Sequence, residues 1–562
     1  MGRTAVALVA LCALAAGARA DVTERVDVAA DGSELAAGVA GPALAMTPDA
    51  RFVAFVAQGA VVAGVTHGTH VWVRDRSSGQ ASIADVDSDG VVADGAPGAG
   101  LGGLALSADG RFVAFTSAAT NIAPLDSNVC GSSTVAGSCP DAFLHDRLTA
   151  ATFLVSVASD GTQGNAATAA AVALSANGHV IAFTSNATNL VGDDTNGKPD
   201  VFVRDLDAQT TKRVSLRAGG GQGHGTPTGP LALSADGRFV LFAYTGDDLA
   251  PGTGTGTLYL YDRQLATTTH VGDGSAGFAL SADAHLVAFA SPDPTLVPGD
   301  TNGLPDVFLR DLGAHTTARV DVASDGSQAA GGSPAFVPQV AMSGDGRFVA
   351  FTSDATDLVA GDTNGVADVF VHDGQTGTTA RVDVASDGTQ AASGSPAAVA
   401  VSTDGACVAF VSDAPNLVPC DANGSPDVFV HCAGGTPPPA PVACPAGPPG
   451  FATVRGEIAA LAAAVAAGVP RGGLATALAR LLGRAASAVA AADQVQSKRR
   501  RARAGLSTAQ QALGKVRARL HTRRAAKLIP SGALAALQAA ADQVRADLAA
   551  LRATFTAAGS GA

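Results

Sequence analysis

A chain of 562 residues has room for more than one domain, and 67 glycines beside only 15% charged and 4% aromatic residues point to many turns and small side chains. The net charge of −13 hides a split, because the chain from Phe451 onward carries 17 Lys and Arg against 4 acidic residues while residues 21–450 carry 17 against 45. Nucleic acid is disfavoured as a partner, since the basic residues have no aromatics interleaved with them to stack on bases, and the best apolar stretch after the first twenty residues, "IAALAAAVAAGVP", ends at Pro470, short of a membrane span.

In chain order, residues 1–20 read as a signal peptide: Arg3, an apolar run from Ala5 to Ala16, and Ala18-Arg19-Ala20 as a small-x-small cleavage site. The expected location is therefore periplasmic or secreted. The mature chain opens with "TERVDVAADGS" from Thr23, and closely similar words return as "TARVDVASDGS" from Thr317 and "TARVDVASDGT" from Thr379. Between them a longer unit recurs. Its strand phenylalanine falls at Phe55, Phe115, Phe183, Phe242, Phe289, Phe351 and Phe410, which makes seven units.

Each unit holds four strand-length runs, such as "QVAMS", "RFVAFTS", "DVFVHD" and "TARVDV" in the unit from Gln339, bounded by Asp-Gly, Asn-Gly and Gly-Thr turns. Four antiparallel strands per repeat make a propeller blade. The seventh unit stops at Cys432 after its third strand, and the missing fourth is the N-terminal "TERVDVAADG". Residues 21–432 are thus expected to form an all-β seven-bladed β-propeller whose N-terminal strand closes the last blade and removes an exposed sheet edge.

The pattern "LSADGRFVAFTS…DVFVRDL…TTARV" resembles the WD-like repeats of TolB-type propellers over about 410 residues. The resemblance implies the propeller fold and an envelope or extracellular setting. It departs from that family in having seven units and a helical segment after them.

Residues 433–450, "AGGTPPPAPVACPAGPPG", read as a semi-rigid Pro-rich linker. Residues 451–562 are Ala- and Leu-rich with three and four spacing, a small all-α helical bundle. Breaks are expected at Gly468-Val469-Pro470, near Gly505 and at Pro530-Ser531-Gly532, with Ser507 and Ser531 as N-caps.

The most suggestive chemistry is a loop before the third strand, repeated with one spacing: Asp194, Asn196, Asp200; Asp300, Asn302, Asp306; Asp362, Asn364, Asp368; and Asp421, Asn423, Asp427. Hard oxygen donors around a tight Gly turn make calcium the candidate cofactor, against the reading that Asn-Gly is simply a hairpin turn capped by a flanking Asp. Six cysteines remain after the signal segment, and disulfides are expected for Cys130 with Cys139, Cys407 with Cys432, and Cys420 with Cys444. The second pairing follows from the register that sets Phe410 opposite Phe429.

No G-x-S-x-G follows the ring, and His145, His372 and His431, each near the end of a third strand, sit in different blades. The sequence therefore reads as a non-enzymatic scaffold for an envelope or extracellular protein or an anionic polymer. The competing class is a glycosidase or lyase with carboxylates at the channel mouth.

Overall fold

The computed structural model describes residues 21–434 apart from 30–33, 36–37, 59–60, 62–67, 98–102, 124–125, 131–138, 247, 251–256, 275–276, 330–337, 393, 395, 420 and 422, then 473–493, 499–522 and single positions between 458 and 548. The signal segment, most of the linker, and Cys420 and Cys444 lie outside the described residues. Contacts divide the chain into two units between Val442 and Ala443.

The first unit is a ring of seven four-stranded antiparallel sheets. Six are built in chain order, from β2 (Val39–Met46), β3 (Phe52–Gln58), β4 (Thr69–Asp75) and β5 (Gln80–Ile83) through to β22 (Val340–Met342), β23 (Phe348–Ser353), β24 (Asp368–Asp373) and β25 (Thr378–Arg381). The seventh is composite: β26 (Val399–Val401), β27 (Cys407–Ser412) and β28 (Asp427–Cys432) are completed by β1 (Val22–Arg25), from the other end of the chain. In the closing register Arg25 faces Phe429, as Arg319 faces Phe308 and Arg381 faces Phe370 in blades made of one segment. The N-terminal strand therefore takes the fourth-strand place residue for residue.

Second and third strands alternate Val, Ala and Phe and are buried on both faces, because each sheet is covered by the next blade. The repeat phenylalanine meets an aromatic directly opposite in every blade, as Phe55 with Trp72, Phe115 with Phe143 and Phe410 with Phe429. In four blades these rings stack with centroids 5.8 Å apart. Such pairs add to the area they bury and fix strand register.

The Ser-x-Asp-Gly turn that precedes the second strand joins neighbouring blades. Its backbone N–H groups pass from blade to blade, Ala108 to the Ala176 carbonyl, Ala176 to Ala235, Ala235 to Ala282 and Ala282 to Gly344, at 2.7–2.9 Å. Its glycine is required in blade two, where Gly110 has φ 69° and a Cβ would come within 2.3 Å of the Phe52 ring.

The second unit has two long described helices, α1 (Gly473–Asp493) and α2 (Arg499–Leu520), packed on each other. Leu474, Leu478, Leu482, Ala485 and Val489 face Leu506, Ala509, Leu513, Val516 and Leu520 in one core, joined by Ile458, Leu461, Val465, Leu537, Ala541, Val544 and Leu548. The break expected near Gly505 is absent, and Ser507 lies inside α2. A mid-helix Gly costs about 1 kcal/mol, less than an unbroken apolar stripe gains by burial at about 25 cal/mol per Å².

Candidate functional site

The Asp-x-Asn-Gly loops gather into buried polar clusters, one in each of four blades. Every cluster contains a fourth-strand arginine. Arg213 lies 3.5 Å from Asp194 and 3.7 Å from Asp200, Arg319 lies 3.5 Å from Asp300 and 3.3 Å from Asp306, and Arg381 lies 3.2 Å from Asp362 and 3.6 Å from Asp368. In the closing blade Arg25 lies 2.9 Å from Glu34, 3.8 Å from Asp421 and 3.4 Å from Asp427, three acids whose carboxylate oxygens fall within 4.8 Å of one another.

The asparagines tie the turn to the strand. Asn196, Asn302, Asn364 and Asn423 donate through Nδ2 to Asp200, Asp306, Asp368 and Asp427, and to the carbonyls of Gly223, Ala329, Ala391 and Leu35. Their Oδ1 accepts the N–H of Lys198, Leu304, Val366 and Ser425, two residues on, which is the Asx-turn geometry. The loops thus bring each Asp, Asn and Asp triplet singled out in the sequence around a guanidinium, at the place where calcium was the candidate.

Two partners escaped the sequence reading although both recur with one spacing. The arginine of "T-x-R-V" is followed nine residues later by Gln222, Gln328, Gln390 or, in the closing blade, Glu34, which a one-pair bridge from Leu216, Val322, Val384 or Val28 brings back toward the loop. Gln328 donates to Asp300 at 3.1 Å, and Gln390 accepts from Arg381 at 2.8 Å. The second partner is the residue two beyond each arginine: Asp27, Asp321 and Asp383, or Ser215.

Blade two holds the same cluster in disguise. Asn128 donates to Asp141 at 2.9 Å and to the Gly164 carbonyl at 2.9 Å, although an insertion separates the two residues, and Gln163 bridges Asp126 and Asp141 at 2.9 and 3.0 Å. The Cys130–Cys139 disulfide, Cα atoms 4.9 Å apart, closes that insertion. Here the arginine position, facing Phe143, is Leu154. Burial above all pushes Asp141 up to about 6, with the carboxylate of Asp126 adding to it. Burial likewise lifts Asp362 to about 6 and Asp421 to about 7, each helped by the neighbouring strand Asp.

The Cys407–Cys432 disulfide joins the second and third strands of the last blade with Cα atoms 4.1 Å apart, in the register that pairs Phe410 with Phe429.

The three histidines near the ends of third strands are buried. His145, His372 and His431 bond through Nδ1 to Thr152, Thr379 and Thr23 at 2.8–2.9 Å, and those threonines donate to the carbonyls of Val86, Val322 and Val384. Each Thr carries its hydrogen bond into the preceding blade. His224 is exposed beside Asp248.

The channel is formed by the first strands, which touch one another around the ring: β2, β6 (Leu104–Leu106), β10 (Thr168–Leu174), β14 (Pro227–Leu233), β18 (Phe278–Leu280), β22 and β26. Their sequences, from VAGPALAM and LAL to VAM and VAV, contain no ionisable residue.

No family model matches this chain, and no curated protein matches it. Among solved structures it is similar to the β-propeller domain of the Trilobed protease from Pyrococcus furiosus, at 9% identity and TM-score 0.41 over 70% of this chain and 94% of that one. It is similar to U3-55K at 12% and 0.41, over 73% and 98% of the two chains. Pyrococcus horikoshii acylaminoacyl peptidase matches at 10% and 0.37, over 67% of this chain and 49% of that one. The likeness is one of propeller architecture, and nothing about activity or partners follows from it.

Proposed function

We propose that this protein is a secreted or periplasmic, non-enzymatic propeller scaffold that holds a protein or polymer partner, with its basic helical unit as the contact for anionic polymers. One observation carries the reading: the seven strands that line the channel offer no carboxylate, whereas glycoside chemistry needs a facing pair. The loop carboxylates of four blades lie instead in ion pairs and turns within the blades, which is the chemistry of a rigid frame.

Export is supported by Ala18-Arg19-Ala20 and by the TolB-type resemblance. The two disulfides suit an oxidising compartment. Among the described residues no helix is long and apolar enough to cross a membrane. In the helical unit Arg480, Arg484, Lys515 and Arg519 are all exposed, away from the leucine stripe, which leaves their charge available to a polyanion.

The full chain should be retained by an immobilised polyanion at low salt and released as salt rises. Replacing Arg480, Arg484, Lys515 and Arg519 by Gln should lower the salt concentration at which it is released. Release of new reducing ends from a polysaccharide by the purified protein would replace the scaffold reading with the glycosidase or lyase one.

A further inference from the structure

The buried clusters hold more acid than base. In the closing blade Asp27, Glu34, Asp421 and Asp427 lie around Arg25, with Arg74 of the adjoining blade near Asp27, and in two other blades Asp300 and Asp306 pair with Arg319 beside Asp321 while Asp362 and Asp368 pair with Arg381 beside Asp383. Asp27, Asp321 and Asp383 are respectively 0%, 5% and 2% exposed. Asp27 accepts the Val428 N–H through Oδ1 at 2.9 Å, and its Oδ2 has no hydrogen-bond donor. One oxygen of Asp321 and one of Asp383 are buried in the same way without a donor.

The other blades show what the position does. Where it is serine, the hydroxyl donates to the strand carboxylate: Ser156 to Asp141 Oδ1 at 2.5 Å and Ser215 to Asp200 Oδ1 at 2.5 Å. The same serines accept the N–H of Ala142 and Val201, as Asp27 accepts that of Val428. In blade one, where no strand aspartate stands opposite, Asp85 accepts from His70 Nδ1 at 2.8 Å and from the Val71 N–H at 3.0 Å. The position accepts one backbone N–H and, wherever a strand aspartate faces it, must supply a proton donor. An ionised carboxylate has none to give.

We infer that Asp27, Asp321 and Asp383 stand in the folded protein as neutral carboxylic acids, each donating its proton to the neighbouring ionised Asp427, Asp306 or Asp368, in the role that serine fills in blades two and three. The groups facing Asp27 are Asp427, Arg25 on its own segment, Glu34 and Asp421 beyond them, and Arg74 of the adjoining blade. Asp321 faces Asp306, which pairs with Arg319 together with Asp300, and Asp383 faces Asp368 and Arg381, with Asp362 on the same arginine. Burial, then the facing carboxylate, raises all three acids well above the usual range.

The consequence is largest at the ring closure. Asp27 arrives on the N-terminal segment, so loss of its proton places a second buried negative charge beside Asp427 on the strand that closes the ring. A group with its folded pKa raised stabilises fully below the unfolded value and loses that contribution as pH rises through the folded one. Alkali should therefore loosen the N-terminal strand.

Infrared difference spectroscopy of the intact protein at about pH 8.5, above the range in which Asp141, Asp362 and Asp421 titrate, reads neutral carboxyls directly. The expected result is a protonated-carboxyl carbonyl band that loses about a third of its intensity in each of Asp27→Asn, Asp321→Asn and Asp383→Asn. Asp27→Asn and Asp27→Ser, which keep a donor, should also abolish the alkaline increase in proteolysis near the N-terminus. Absence of the band in the unaltered protein overturns the inference without recourse to any variant. So does a band that appears only after chelation, since a bound cation would then be what balances the acids.

Discussion

The turn between third and fourth strands separates backbone demand from side-chain identity. Its left-handed position is Gly79 or Gly377 in two blades, but Ala150, Gln209, Ala266 and His315 hold φ of 58°, 54°, 53° and 57° in the others. A left-handed non-glycine residue costs about 1–2 kcal/mol, of which the greater unfolded freedom of glycine returns about 0.4–1 kcal/mol. Ala150 and Ala266 are exposed and bury no packing that glycine would forfeit. Ala150→Gly and Ala266→Gly should each stabilise by roughly 0.5 kcal/mol in a denaturant titration, and Gly377→Ala should destabilise. The buried histidines set the acid limb. Burial pushes His145 down to about 4, and it lowers His372 and His431 also. A depressed histidine stabilises fully above its unfolded value of about 6.5 and loses that contribution as pH falls. Thermal melts of His145→Asn should therefore fall less steeply than those of the parent between about pH 6.5 and 4.

The clusters show how far a blade could be read before its structure was known. Asp194, Asn196 and Asp200 and their three counterparts were visible because a six-residue spacing recurs without interruption. Asp126, Asn128 and Asp141 were not, because the disulfide-closed insertion stretches the spacing while preserving the contact. The arginine and glutamine were present at constant intervals, but their significance depends on a strand pairing that a list of spacings does not contain. Blade two offers a direct check. Leu154→Arg places a guanidinium beside Asp126 and Asp141 in the register of Arg319, and Leu154 is only partly buried, so the longer stem has room to extend. Asp141 should then titrate well below about 6 by carboxyl NMR. Its raised value confers stability at low pH that is lost as pH rises through about 6, so the variant should gain most above that point. Arg319→Leu is the converse and should cost about 3 kcal/mol or more, since it strands buried carboxylates. With the arginines in place, millimolar calcium is expected to leave the melting temperature unchanged. A calorimetric rise that Asp306→Ala removes would establish the calcium reading instead.

For the whole ring, the decisive feature is that its first strand belongs to its last blade. The seven units could be counted because the phenylalanine recurs, and the closure could be deduced because the seventh unit ends a strand early. The turn-to-turn hydrogen bonds around the ring left no sequence mark beyond Ser-x-Asp-Gly. Without β1 the edge of β28 would present four unpaired residues, Cys432, His431, Val430 and Phe429. Arg25 would also leave Asp421 and Asp427 without their cation, and Thr23 would no longer join His431 to the Val384 carbonyl. Removal of a partner from a buried ion pair costs about 3–5 kcal/mol, a large share of the 5–15 kcal/mol by which a domain is ordinarily stable. Deletion of residues 21–32 should thus lower the melting temperature by many degrees and yield a protein that associates through the freed edge. The Cys407–Cys432 disulfide holds β27 to β28 in the deleted protein as in the parent, so the last blade should persist as three strands while the ring opens. Addition of a peptide with the sequence of residues 21–32 should restore the parent melting temperature. A deletion variant that melts with the parent would show that the ring is held by its blade-to-blade cores without the N-terminal strand.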